Sequence, residues 1–292
     1  MEKGLHSETL LRWQLEAGVD EAISVDPVNH YHERSGKDQS GVTEEPSATP
    51  SPPVSPPVSP SIPPSGMNET AAIFKPAPTE VKRRRVEGQE SALHDARAAA
   101  HNAPSLEALR TILENFEGCG LKTTATNLVF GEGNEQARIM FVGEAPGADE
   151  DRMGRPFVGA SGQLFDNMMA AIGLDRKSAY ITNILPWRPP GNRTPTPTEI
   201  AICLPFIERQ IELIEPDILV MVGGISAKTL LGRSEGIMRM RGNWFDYASP
   251  GLPSPVQGRA IFHPDYLLGS PAHKREAWID LLEIKARLKS FS

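Results

Sequence analysis

The stretch "ARIMFVGEAPGADEDRMGRPFVGASGQLFDNMMAAIGL" (Ala137–Leu174) decides how this chain is read. Near its start, Ile139–Val142 is apolar without polar alternation, the pattern of a strand covered on both faces. Its end is a helical pattern that opens at Ser161 and stops at Gly173. Between Val142 and Gln163 stand four acids, five glycines and two prolines, more chemistry than a plain connection requires.

The same alternation continues outward. Apolar, β-branched-rich runs recur at Ala179–Leu185, Asp217–Val222 and Arg259–Phe262. Helical patterns separate them: "TPTEIAICLPFIERQIELI" with a proline near its start, and "SAKTLLG", capped by Ser226 and stopped by Gly232. "SLEALRTILENF" is a further helix ahead of the first strand, and "MRMRGNWFDY" reads as an irregular hairpin before the last one. Strand–helix alternation predicts an α/β three-layer sandwich with a central four-stranded parallel sheet flanked by helices.

Composition divides the chain. Residues 1–32 hold a short amphipathic helix, "SETLLRWQLEAGVDEAI", behind a serine cap. Residues 33–88 read as a disordered linker: "PSATPSPPVSPPVSPSIPPSG" cannot bury a core, and the basic run Lys82–Arg85 follows it. Residues 89–292 form the folded domain. No run is apolar enough to span a bilayer and the start lacks a signal peptide's apolar core, so a cytoplasmic protein is expected. The net charge of −7 requires any contact with nucleic acid to come from a local patch. Two cysteines, Cys119 and Cys203, make no disulfide framework.

In parallel sheets, ligands gather at the carboxyl ends of the strands. Here those ends read "GEAPG", "TNILPWRPPGNR", "GGISA" and "HPDYLL", which sets Glu144, Asn183 and His263 at or just beyond three of them. An isolated histidine is more often structural, so the convergence carries the reading. No G-x-G-x-x-G follows the first strand, which argues against a dinucleotide-binding enzyme.

"GEAPGADEDRMGRPFVGASGQLFDNMMAAIGL", "YITNILPWRPPGNRTPT" and "HPDYLL" with "KREAW" resemble the uracil-DNA glycosylase superfamily, specifically its family 4 branch, over about Phe116 to Leu282. The resemblance implies a glycosylase that flips uracil out of DNA and hydrolyses its N-glycosidic bond, leaving an abasic site for base excision repair. No lysine falls within the matched strand-end motifs, so a monofunctional enzyme without a Schiff-base lyase step is expected. Phe157 matches the residue that stacks on the base, and Asn183 the one that reads its pairing edge. His263 matches the donor to the departing uracil. Glu144 matches the carboxylate that positions water, and Glu150 is an acidic neighbour able to share or take over that task. Gly143, Ala145 and Gly147 are expected to bring backbone close to the base. Tyr266, Leu267 and Leu268 resemble a wedge that enters the duplex, with burial in the next helix the competing reading. Arg188, Arg193, Lys274 and Arg275 are candidate phosphate contacts. Uracil-containing DNA is the implied partner of a monomer, and a non-catalytic nucleic-acid-binding relative that keeps the pocket is the alternative.

The family's 4Fe–4S cluster rests on four cysteines, and the corresponding positions here read Phe116, Cys119, Trp187 and Cys203. No cofactor is therefore expected. Phe116 and Trp187 are expected to meet in the vacated space.

Overall fold

The structure, a computed structural model, describes residues 78–291, with side chains from Gly88 onward. The amphipathic segment of residues 1–32 and the Pro/Ser run lie outside the described residues. Six strands form one sheet: β1 (Glu132–Gly133), β2 (Ile139–Gly143), β3 (Tyr180–Asn183), β4 (Ile218–Val222), β5 (Trp244–Tyr247) and β6 (Val256–Ile261). Their order is β1-β3-β2-β4-β6-β5. The four predicted parallel strands are its centre, β3-β2-β4-β6. The four-stranded expectation is corrected at both edges, where β1 and β5 add antiparallel pairs. Neither edge strand carries a buried apolar run: β1 has two residues, and β5 has a single buried position.

Nine helices are described: α1 (Pro78–His101), α2 (Leu106–Asn115), α3 (Ala148–Met153), α4 (Ala160–Ala171), α5 (Pro197–Ile214), α6 (Gly224–Leu231), α7 (Ile237–Met240), α8 (Pro264–Gly269) and α9 (Lys274–Ser290). Strand side chains alternate between two cores, as period two requires. Met140, Val142, Leu219 and Met221 face a core shared with α2 and α5, while Ile139, Phe141, Val220 and Val222 face one shared with α4 and α9. Helices thus cover both faces, and three layers result.

Helix α1 begins inside the stretch read as linker and runs through the Lys82–Arg85 positions. Its small residues Ala96 and Ala100 are buried in the first core, and α1 packs along α5. Arg209 of α5 donates to the Ala103 carbonyl just after α1, at 3.0 and 2.9 Å, tying the two together. Helix α5 is opened by Thr196, whose hydroxyl accepts from the Glu199 N–H while Glu199 accepts from Thr196 N–H at 2.8 Å, a reciprocal cap. The predicted serine cap of α6 is corrected to Gly223. Ser226 is instead fully buried and donates to the Val142 carbonyl at 2.6 Å, fastening α6 to β2.

The connections set the site. From β2 the chain passes through α3 and α4 to β3, then through α5 back past β2 to β4. The reversal of direction opens a crevice at the carboxyl ends of the central strands. Among the described residues, no helix is long and apolar enough to cross a membrane.

Candidate active site

Register delivers the side chains. Gly143 ends β2 and pairs with Asn183, the end of β3. Glu144 follows Gly143, and His263 stands two residues beyond β6 as the cap of α8. Together they surround a cleft of about 460 Å³. Of the residues named from sequence, Glu144, Ala145, Gly147, Glu150, Phe157, Asn183, Arg193, His263 and Tyr266 line it. Sequence reasoning missed Pro146, Ser161, Pro189, Asn192 and Asp265, which also line it. Asp265 sits in the quoted "HPDYLL", so its signal was available; the others depend on loop geometry.

Phe157 forms one wall. Its ring stacks on Phe165 (centroids 4.5 Å apart, 26° between planes) and lies 5.7 Å from the His263 ring at 29°. It is simultaneously core and cleft lining. Its backbone has φ = +53°, a region that side chains with a Cβ rarely occupy.

Gly143 is corrected from a lining residue to a supporting one. A Cβ there would lie 2.2 Å from Asn183 Oδ1 and 2.7 Å from Phe157 Cζ. The missing side chain makes room for the amide and the ring, which then face the cleft. Gly147 serves likewise: a Cβ would lie 2.7 Å from Glu150 Oε2. Asn183 is 5 % exposed and presents its amide to the cleft, with no hydrogen-bond partner for it among the described residues.

Glu150 has a different employment from Glu144. Its carboxylate accepts from the N–H groups of Gly147 (3.1 Å), Val158 (3.0 Å) and Gly159 (3.1 Å). These bonds cap α3 and hold the Phe157 loop, so the geometry makes Glu150 a clamp and leaves the free carboxylate to Glu144. Burial without compensating donors raises the Glu144 pKa above the ordinary carboxylate value.

His263 Nδ1 accepts the Asp265 N–H at 3.2 Å, which places the ring proton on Nε2. Burial lowers its pKa, and the charges of Asp265 and Glu150 only partly oppose this. The imidazole is thus neutral at pH 7 with an Nε2–H to donate. Gly223, at φ = +96°, leaves room for it, since a Cβ there would lie 3.2 Å from His263 Cβ.

Around the rim the outcome is mixed. Tyr266 and Leu268 are exposed, at 38 % and 43 %. Leu267 is corrected: helical phase turns it inward, and it is 1 % exposed in the second core. Arg193 lines the cleft while forking onto Glu199 at 2.9 and 2.6 Å. Arg188 donates to Asn192 Oδ1 at 2.7 Å. Lys274 and Arg275 begin α9 and do not line the cleft.

A family model described as "Uracil DNA glycosylase superfamily" matches residues 130–282, which contain every one of these lining residues. The chain belongs to that superfamily. It is 43% identical over 170 residues to a type-4 uracil-DNA glycosylase of Archaeoglobus fulgidus, covering 57% of this chain and 84% of the relative. With the type-4 uracil-DNA glycosylase of Thermotoga maritima it shares 38% over 187 residues, 64% of this chain and 94% of the relative. A type-5 uracil-DNA glycosylase of Thermus thermophilus is 34% identical over 116 residues, 35% of this chain and 52% of the relative. Similarity to the type-4 members is the more extensive.

The cluster that the superfamily's type-4 branch implies does not fit the donors present. Cys119 and Cys203 are buried with sulfurs 3.8 Å apart, and Trp187 and Phe116 occupy the other two positions. Four thiolates are the usual requirement, and among the described residues no group of three or more His, Cys, Asp or Glu side chains can hold a metal. The S–H···S contact lowers the Cys119 pKa, and together with burial it pushes Cys203 well above the ordinary thiol value. Phe116 meets Phe206 edge-on, with centroids 5.0 Å apart and 66° between planes, and packs against the core that holds Trp187. Trp187 is 2 % exposed in the first core, which also holds both cysteines. Trp187→Ala is expected to destabilise the domain by about 3–5 kcal/mol, measured by denaturant unfolding, because the indole leaves a cavity that rigid neighbours cannot fill. Phe116→Ala should cost less, since that ring is only half-buried.

Proposed function

We propose that this chain is a monofunctional uracil-DNA glycosylase of base excision repair, acting as a cytoplasmic monomer on uracil-containing DNA. The carrying observation is that Glu144, Phe157, Asn183 and His263, from separate strand ends and one loop, line a single cleft. A base buried in a duplex exposes neither C1′ nor its pairing edge, so uracil must be flipped into this cleft. Phe157 offers a stacking face, and base–aromatic stacking contributes about 1–3 kcal/mol. The Asn183 amide donates to O4 and accepts from N3–H. Cytosine presents the reverse pattern and leaves both groups mismatched.

Cleavage sends the bonding pair of the N-glycosidic bond to the base, leaving uracil anionic and the sugar oxocarbenium-like. His263 Nε2–H donates to O2, where negative charge grows, as a neutral imidazole preset by the Asp265 N–H. Glu144 faces the sugar cation and orients the water that attacks C1′. Tyr266 and Leu268 fill the space behind the flipped base, and Arg188, Arg193, Lys274 and Arg275 contact phosphates. The grip is small, so binding should weaken steeply with salt.

Incubation with uracil-containing single-stranded and duplex oligonucleotides, followed by alkali, tests the reading. Strand breaks at uracil are expected only after alkali, and borohydride should trap no protein–DNA adduct. Binding without abasic sites would favour the non-catalytic relative instead. The protein is further proposed to work without an iron–sulfur cluster. Anaerobic purification should give a colourless, folded, iron-free protein, and stoichiometric iron with charge-transfer absorbance would overturn that expectation.

A further inference from the structure

We propose that Arg176 is a positioning residue that aims the Phe157 ring, an inference that rests on reading Phe157 as the base platform. Arg176 lies between α4 and β3 and its side chain is 20 % exposed. Its Nη1 donates to the Pro156 carbonyl at 3.0 Å and its Nη2 to the Phe157 carbonyl. Nε donates to Asp166 Oδ1 on α4 at 2.9 Å, and Nη1 also meets Glu132 on β1. Arg155 holds that same Glu132 carboxylate, with Nε 2.6 Å from Oε2. The planar fork thus joins two backbone carbonyls to two anchored carboxylates, a span that an ammonium cannot reproduce.

The other side of Phe157 is held as firmly. Glu150 takes the Val158 and Gly159 N–H groups at 3.0 and 3.1 Å. Arg176 draws the carbonyls of the peptides on either side of Phe157, and Glu150 takes the N–H groups that follow it. Both peptide planes are therefore fixed, which fixes the positive φ of Phe157 and the direction of its ring. The close fit extends to α4, where a Cβ on Gly162 would lie 2.1 Å from the Phe157 carbonyl carbon and oxygen. Without the guanidinium, the Pro156–Phe157 peptide loses its anchor while Glu150 still holds the N–H groups that follow, so the disfavoured φ is no longer fixed from both sides and the ring swings off the base plane. The clamp sets the platform before a base arrives, which is where positioning gains rate.

The test uses the full chain and the variants Arg176→Gln and Arg176→Lys, each also combined with Phe157→Ala. Single-turnover excision from a uracil-containing single strand should fall about 10- to 100-fold in Arg176→Gln. Inhibition by free uracil should weaken in parallel, because the base has lost its stacking face. Affinity for an oligonucleotide carrying an abasic site should not change, which a general loosening of the fold would not allow. In the Phe157→Ala background Arg176→Gln should add less than about twofold, since the two act as one unit. Unchanged excision in folded Arg176→Gln, or an equal loss in both backgrounds, would overturn the proposal. If Arg176→Gln fails to fold, Arg176→Lys keeps charge and stem and carries the same measurements. Wild-type protein that excises nothing would instead overturn the functional reading, and free-uracil binding then still reads the effect of Arg176 on the platform.

Discussion

Asn183→Asp is expected to lower uracil excision by about 10²- to 10⁴-fold, the factor that corresponds to ~3–5 kcal/mol for a mismatched charge in a buried site. Three features set this size. Asn183 is almost wholly buried, so water cannot compensate a wrong partner. Its amide is wedged over Gly143, with Oδ1 so close that even a Cβ there would collide, and rotation away is hindered. The replacement is isosteric, so the pocket keeps its shape while the N–H donor facing O4 becomes a second acceptor. Repulsion then replaces attraction at the atom that distinguishes uracil. Phosphate contacts lie elsewhere, so affinity for an abasic-site oligonucleotide should stay within about twofold, as expected for independent sites. Excision kinetics and gel-shift titration check the two halves separately. Excision at the wild-type rate would remove Asn183 as base reader and with it the assignment of the pocket.

The elements that sequence reveals are those whose burial pattern is local. Ile139–Val142 and Ile218–Val222 are apolar at every position because both faces are covered, and no other arrangement suits such short runs. Strand β1 escapes because an edge strand is held by its partner's backbone, and the segment "MRMRGNWFDY", read as a hairpin, instead gives helix α7 and the single strand β5 that pairs with β6. Helix α1 escapes because it docks through alanines, whose periodicity is faint beside its charges. In the cleft, residues at strand ends were legible because topology alone brings them together. Roles that depend on contacts across the loop were not. Glu150 looks like a second free carboxylate until Val158 and Gly159 fold back onto it. The space left by Gly143 and Gly147 is taken up by Asn183, Phe157 and Glu150, which no spacing in the sequence announces. Leu267 turned on helical phase, which the sequence leaves open over six residues.

Glu144→Gln should separate chemistry from stability. Glutamine keeps the size of the side chain but neither offsets a sugar cation nor accepts a proton from water, so the single-turnover rate should drop about 10²- to 10⁴-fold. The fold should respond in the opposite sense. Burial raises the Glu144 pKa above its unfolded value, so ionising this group opposes folding. Its contribution to stability is fully present below the unfolded carboxylate pKa and is lost as pH rises through the higher folded value. At pH 7 the wild type bears that loss and Glu144→Gln does not. The variant should therefore melt at a higher temperature at neutral pH, and the advantage should fade as acid protonates the wild-type carboxyl. Wild-type kcat must in turn follow ionisation of Glu144, giving an acid limb whose midpoint lies above the ordinary glutamate value. Thermal melts and rate profiles across the acidic range read both effects. A variant that loses activity and also loses stability at pH 7 would mean that Glu144 is held by partners in the fold and is no free carboxylate facing the sugar.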